Sequence, residues 1–393
     1  MTQGVNRRQV FRLGAGASAL ALLAACDTTS FNFGPQSSGG APPKGAGQTF
    51  GTGPTRVALL LPLSGDPSLS SVGISMANAA QMAINYISSS PKIEDNITLL
   101  LLDTGSTAGG AAQQASAAIS QGASLILGPL RGDQVLAAGA AAKSAGIPLI
   151  GFSNNSSAAS AGVYLLNVLP ETEIRRSLGY AAGRGRKTVA GIFPNTSFGQ
   201  AQQAAFQQVT PGLGIAAKGT FSFSAAAQAS GIIAQLAPQL TSGAIDTLFI
   251  PDRASAPSIG AMVAQAGVPP GKVLLVGSAD WDMDPAITAT PSLNGAIYPA
   301  VDDSGYQALK AEYVTKFAGN PHPLATIAYT AVILANAKPL VAARYSAAAL
   351  TMPGGFNGRD GVFRFLPDGR SQYALVIKQV GAGVATKVDG AKL

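Results

Sequence analysis

The feature that most constrains this chain is a succession of short apolar runs separated by stretches of small residues at helical spacing. VALLLPL begins at Val57, ITLLLLD at Ile97, SLILG at Ser124, PLIGF at Pro148, TVAGIF at Thr188, IDTLFI at Ile245 and VLLVG at Val273. Most of these runs do not alternate polar and apolar positions. Continuous apolar runs are expected of parallel strands covered on both faces. Between the first two, Met76, Ala79, Ala80, Ala83 and Ile87 recur on one helical face, which predicts a helix over 76–87, and a second helix is expected over 108–120. This β-α rhythm predicts open, doubly wound α/β sheets. With 393 residues, 47% of them hydrophobic, the chain should divide into two compact lobes.

The rhythm breaks at 163–170 and again at 296–301, before a long helix expected over 325–344. Lys338, Pro339 and Arg344 interrupt that helix, so it reads as a buried helix and not a membrane span. The tail over 352–388 changes character. GGFNGRDGVFRF and SQYALVIKQV read as hairpin strands around the turn Leu366, Pro367, Asp368, Gly369, Arg370.

At the N-terminus a basic segment is followed by 13 uncharged residues, 13–25, and a spanning helix needs about 20 apolar residues. The segment is therefore expected to be a signal peptide over 1–25. Its end, Leu23, Ala24, Ala25, Cys26, resembles the lipobox of bacterial lipoproteins, which implies lipidation of Cys26 and attachment to a membrane. Cys26 is the sole cysteine and so has no partner for an internal disulfide. Arg7 and Arg8 followed by Gln9, Val10 and Phe11 resemble a twin-arginine export signal. Asp27 resembles the residue that holds lipoproteins at the inner membrane in enteric bacteria. Residues 26–54, mostly Ser, Gly, Pro, Thr and Gln, read as a flexible tether. Removing Arg7, Arg8 and Arg12 with the signal takes the formal +7 down to +4, too mild a charge to argue for nucleic acid. The cluster Arg184, Gly185, Arg186, Lys187 reads as a solvated helix end.

Taken in order, RVALLLPLSG (56–65), LILGPLRGDQ (125–134), AGIPLIGFSNNS (145–156), IFPNTSFGQ (192–200) and GFNGRDGVFRFLPDG (355–369) are similar to the type I periplasmic solute-binding proteins of the leucine, isoleucine and valine kind. The resemblance implies two Rossmann-like lobes joined by three crossovers, closing on a small ligand, with an ABC importer as partner. It divides the chain into a first lobe over 55–168 and 297–348 and a second over 169–296 and 349–393. The implied ligand is an amino acid or small amide, and the implied compartment is the periplasm. LLLPLSG together with GPLRGD, FSNN and GVYLLNVLPE is also similar to penicillin-binding-protein activators, lipoproteins of this fold that stimulate a peptidoglycan synthase by contact. No stretch of these residues resembles the superhelical N-terminal domain of enteric members of that group, so the regulatory reading has no support from that feature.

In open α/β sheets a ligand sits beyond the carboxyl ends of the strands, where loops lead into helix N-termini with free N–H groups. This places the candidate site at the loops carrying Ser64, Arg131, Ser153 and Asn154 in the first lobe, and Phe198, Asp252, Asp280 and Trp281 in the second. By the resemblance, Ser153 and Asn154 match the loop that grips a ligand carboxylate, and Phe198 stands at an aromatic position before glycine. Asp280 lies near the family's ammonium-binding acid, with Trp281 beside it as a wall. Arg131 could add a charge-assisted bond, and an outward-facing arginine is an equally good reading. Asp280, Asp282 and Asp284 alternate like a calcium loop, but Pro285 and Pro291 stand where that motif needs glycine and glutamate, so no metal site is expected. The only histidine, His322, lies between two prolines and reads as a turn residue. No nucleophile elbow, phosphate loop or His/Cys cluster is present, so no enzyme and no cofactor is expected.

Overall fold

The computed structural model describes residues 47–393. The signal peptide, Cys26, Asp27 and most of the proposed tether lie outside the described residues. The first sheet contains β1 (Gln48–Phe50), β2 (Thr55–Leu61), β3 (Ile97–Asp103), β4 (Leu125–Leu127), β5 (Leu149–Gly151) and β6 (Val163–Leu165), in the order β1-β3-β2-β4-β5-β6. All its pairings are parallel except that of β1 with β3. The second contains β7 (Thr188–Pro194), β8 (Ala216–Phe223), β9 (Thr247–Phe249), β10 (Leu274–Val276) and β11 (Ile297–Ala300), with β15 (Leu375–Val380) and β16 (Ala385–Lys392) added antiparallel at one edge. Its order is β16-β15-β11-β10-β9-β7-β8. Between them β12 (Phe356–Gly358), β13 (Gly361–Phe365) and β14 (Ser371–Tyr373) form a small antiparallel sheet.

Helices α1 (Pro67–Ser89), α2 (Ala108–Ser120) and α3 (Gly132–Ser144) connect the strands of the first sheet. α4 (Pro170–Gly183), α5 (Ser197–Val209), α6 (Ala226–Ser242) and α7 (Ala256–Gln265) serve the second, followed by the short α8 (Pro285–Ala289). α9 (Ser304–Lys316) and α10 (Ala325–Asn336) return to pack on α1. The chain thus passes from the first lobe to the second after β6, back after β11, and across again through the small sheet to β15. This is the type I periplasmic binding protein architecture. Among the described residues, no helix is long and apolar enough to cross a membrane.

The cores follow from the apolar runs. Val57, Ala58, Leu59, Leu60 and Leu61 of β2 are all at most 1% exposed, because helices cover both faces of the sheet. α1 buries Met76, Ala79, Ala80, Ala83 and Ile87 as their spacing predicts, starting at the Asp66 cap, whose carboxylate accepts from Leu69 N at 2.8 Å.

Four boundaries differ from expectation. α1 begins at Pro67, nine residues before Met76. β11 belongs to the second sheet, so the return crossover falls after Ala300 and not before Ile297. The expected helix over 325–344 ends at Asn336, with a separate turn of helix at Lys338–Ala342, where Pro339 lacks the N–H a continuous helix would use. The folded region begins earlier than residue 55: β1 pairs with β3, and Thr52 donates from its N and Oγ1 to Asp95 at 2.8 Å each. A chain beginning at Gly53 is therefore expected to be less stable than one beginning at Gly47 by roughly 2–3 kcal/mol, given about 0.5–1.5 kcal/mol net per lost hydrogen bond. Urea denaturation of both measures this; equal midpoints would show β1 to be dispensable.

Candidate functional site

Both lobes repeat one strand order. In the first sheet β3-β2-β4-β5-β6, and in the second β8-β7-β9-β10-β11, the first strand in sequence lies between the second and third. This is the 2-1-3-4-5 winding of doubly wound folds, and its switch point, where connections leave to opposite faces, opens a crevice between the first and third strands. In the first lobe the loops at that point follow β2 and β4 and carry Ser64 and Arg131. In the second they follow β7 and β9 and carry Phe198 and Asp252.

In the first lobe Asp103, at the end of β3, organises the Ser64 loop. Its Oδ1 accepts from Leu63 N at 2.8 Å, Ser64 N at 3.2 Å and Gly105 N at 2.8 Å. Burial works against ionisation there, but the Ser64 hydroxyl and these backbone N–H groups outweigh it and hold the carboxyl below its usual range. After β4, Gly128 has φ +81°, and a Cβ would lie 2.1 Å from Leu60 O, so only glycine lets this loop pass so close to β2. Arg131 then precedes α3, exposed, with its Nε 3.0 Å from Asp133. That is the outward-facing alternative, and its guanidinium is engaged with a neighbour.

After β5, Ser153 is 4% exposed and its Oγ accepts from Asn155 N at 3.0 Å. Asn154 is exposed. Asn155 takes the capping role, accepting from Ser157 N at 3.1 Å and Ser157 Oγ at 2.7 Å. Gly132 packs beneath it, where a Cβ would lie 3.0 Å from Asn155 Nδ2, so the loops after β4 and β5 form one surface.

In the second lobe Thr196 caps α5 through Gly199 N at 3.1 Å. Gly199 itself is required, because a Cβ there would meet Pro194 O at 1.9 Å. Phe198 is half-buried at the start of this helix. Asp252 accepts from Ser255 N at 2.9 Å ahead of α7. The loops after β9 and β10 are joined: Ser278 Oγ donates to Pro251 O at 2.7 Å, and Arg253 N donates to Asp280 at 3.1 Å. The Arg253 Nε also lies 3.8 Å from both Asp280 and Asp284. Burial raises the Asp280 carboxyl, with the Arg253 backbone and charge opposing.

Trp281 is placed differently from the expected ligand wall. It is 1% exposed, lies over Gly277 so closely that a Cβ there would come within 2.2 Å of the indole, and tilts against Tyr298 at 6.1 Å. It belongs to the core of the second lobe.

Sequence reasoning missed two residues here. Glu173, in the first turn of α4, is buried and accepts from Ala279 N at 3.2 Å and Gln202 Nε2 at 3.1 Å, supporting the turn that carries Asp280. Burial pushes its carboxyl up to about 7. In sequence it looks like one of two acids, with Glu171, placed to suit a helix N-terminus. The other is His322, half-buried, anchored by its N–H to Ser75 Oγ at 2.8 Å on α1. Burial first, then the charge of Arg253, lowers its pKa, so a loop of the first lobe lies within electrostatic reach of the β9 loop of the second.

Two α/β lobes wound alike, each presenting switch-point loops, define a two-lobed binding architecture. The family model described as periplasmic binding protein matches residues 54–380, and the chain belongs to that family. No curated protein matches the chain significantly. Among solved structures, a putative branched-chain amino acid ABC transporter protein from Rhodospirillum rubrum is 18% identical, with a TM-score of 0.72, covering 85% of this chain and 99% of that one. An ABC transporter substrate-binding protein from Desulfitobacterium hafniense, in complex with Leu, is 17% identical with a TM-score of 0.63 over 85% and 99% of the two chains. A solute-binding protein of an ABC transporter from Rhodopseudomonas palustris, in complex with 3,4-dihydroxybenzoic acid, is 17% identical with a TM-score of 0.58 over 86% and 98%. At these identities the likeness is one of fold, and nothing in it favours the synthase-regulator alternative.

Proposed function

We propose that this protein is a lipid-anchored periplasmic receptor that binds a small carboxylate, an amino acid or amide in the first instance, between its lobes for delivery to an ABC importer. The observation that carries this reading is the repeated switch-point geometry, with a buried serine hydroxyl and short polar loops on one side and an Asp/Arg cluster on the other. Ser153 and Asn154, beside the N-terminus of α3, offer hydroxyl, amide and N–H groups to a carboxylate. Asp280 and Asp252 offer carboxylates to an ammonium. The leucine and dihydroxybenzoate complexes of the relatives share a carboxylate, which sets the first ligands to test.

A thermal-shift screen of amino acids, their amides and aromatic acids is the test. A ligand at 100 times its dissociation constant should add about 2.7 kcal/mol of stability. No shift across the panel would count against a transport receptor. The anchor is tested separately: Cys26→Ala should abolish incorporation of labelled fatty acid, and label retained on that variant would exclude Cys26 as the acylated residue.

A further inference from the structure

Away from the switch-point loops, α4 and the C-terminal strand β16 enclose a groove of about 440 Å³ lined by Thr172, Arg175, Arg176, Tyr180, Arg184 and Lys392, among others. Its lining side chains include four cations and a single carboxylate, Asp389, which is already engaged by Arg176 and Lys392. Arg176 forms the fixed part of the site: its side chain is 9% exposed and donates to Leu375 O and Gly390 O at 2.6 and 2.9 Å. Arg175 is exposed and has no ion-pair partner among the described residues. Arg184 is exposed and lies over the Tyr180 ring at 4.9 Å, on which Arg176 also borders at 5.9 Å.

The groove exists because α4 carries glycine at two positions one turn apart, Gly179 and Gly183. A Cβ at either would meet nothing within 4 Å, so packing does not demand them, although glycine in a helix costs about 1 kcal/mol relative to alanine. Both line the groove. Arg175 and Arg184 stand nine residues apart, about 13 Å along the axis at 1.5 Å per residue and about half a turn around it at 3.6 residues per turn, so they border the trough from opposite sides of α4. Guanidinium forks match phosphoryl oxygens bidentately, and two at separate points suit an extended anion better than one carboxylate.

We infer that the groove between α4 and β16 is a second binding site, distinct from the switch-point loops, that takes phosphoryl groups between Arg175 and Arg184 over the Tyr180 face. The same chemistry is offered by soluble polyphosphorylated molecules and by the headgroups of an anionic membrane.

Two probes separate these sources: inorganic tripolyphosphate titrated into the full-length protein by calorimetry, and vesicles of phosphatidylcholine with or without phosphatidylglycerol. The wild type and both variants share the basic N-terminal segment, so its attraction to vesicles is common to all three and only the difference between them reports on the groove. R175Q/R184Q removes both charges. Gly183→Leu fills the trough with the charges intact and without a steric clash at Cβ, so it is expected to fold. The wild type should bind tripolyphosphate or prefer the anionic vesicles, and each variant should weaken that binding roughly tenfold or more. Binding of the soluble probe alone assigns a soluble ligand, and preference for anionic vesicles alone assigns a lipid headgroup. Undiminished binding in either variant, or no response of the wild type to either probe, overturns the inference.

Discussion

Trp281→Ala is expected to lower the unfolding free energy by about 3–5 kcal/mol, the range for removing a large aromatic side chain from a core. The indole fills space between Gly277 and Tyr298 within the cluster that includes Ile250, Ile287, Leu293 and Val376, and no backbone shift closes so large a void. The change follows from core packing, so ligand affinity of the folded variant should fall much less than its stability. Urea denaturation with a parallel ligand titration distinguishes the two roles. A variant of near wild-type stability whose ligand binding is lost would restore Trp281 to the site wall.

The second large effect is a pH dependence carried by Glu173. Its carboxyl has an ordinary value of 4.5 and a folded value of about 7, so between these limits the folded state holds a proton that the unfolded state has released. Stability contributed by this group is therefore full below about pH 4.5 and is lost as pH rises through 7, a total of about 3 kcal/mol at 1.36 kcal/mol per unit. Glu173→Gln mimics the neutral form, because its amide oxygen can still accept from Ala279 N and Gln202 Nε2. That variant should lack this slope and be more stable than wild type at pH 8 by about 3 kcal/mol, with little difference at pH 4.5. A wild-type stability that rises between pH 5 and 7, with the glutamine variant following in parallel, would show that Glu173 is not the group responsible.

The sheets were legible because their central strands are buried on both faces, which forces apolar residues from Val57 to Leu61 of β2 and at most positions of β3, β7 and β10. The edge strands β1, β8 and β16 left no such trace. β8, AAKGTFSF, and β16, ATKVDGAK, carry mostly exposed or half-exposed residues, and β1, QTF, is a triplet with two polar residues and no buried one, held by backbone pairing to β3. The loops of the candidate site were legible for the same reason as the strands, since strand ends fix where the loops begin. The ties between loops were not. Glu173 supports Ala279 across 106 positions and Asp103 holds Ser64 across 39, and neither distance leaves a local pattern. Trp281 and Asp280 are neighbours in sequence, yet one turn sends the carboxylate toward Arg253 and the indole into the core. The alternation of their environments is decided by packing against Gly277, which sequence spacing does not encode.

The central claim, that the switch-point loops hold a small carboxylate, is tested most directly by calorimetric titration of the wild type, Ser153→Ala and Asn154→Ala with the ligand that gives the largest thermal shift. Ser153 is buried with its hydroxyl already accepting one bond, and a second to a charged ligand group is worth about 1.5–3 kcal/mol. At least one variant is expected to bind roughly 10- to 100-fold more weakly, with its unfolding midpoint nearly unchanged. Equal affinity in all three proteins would place the ligand elsewhere and contradict the account.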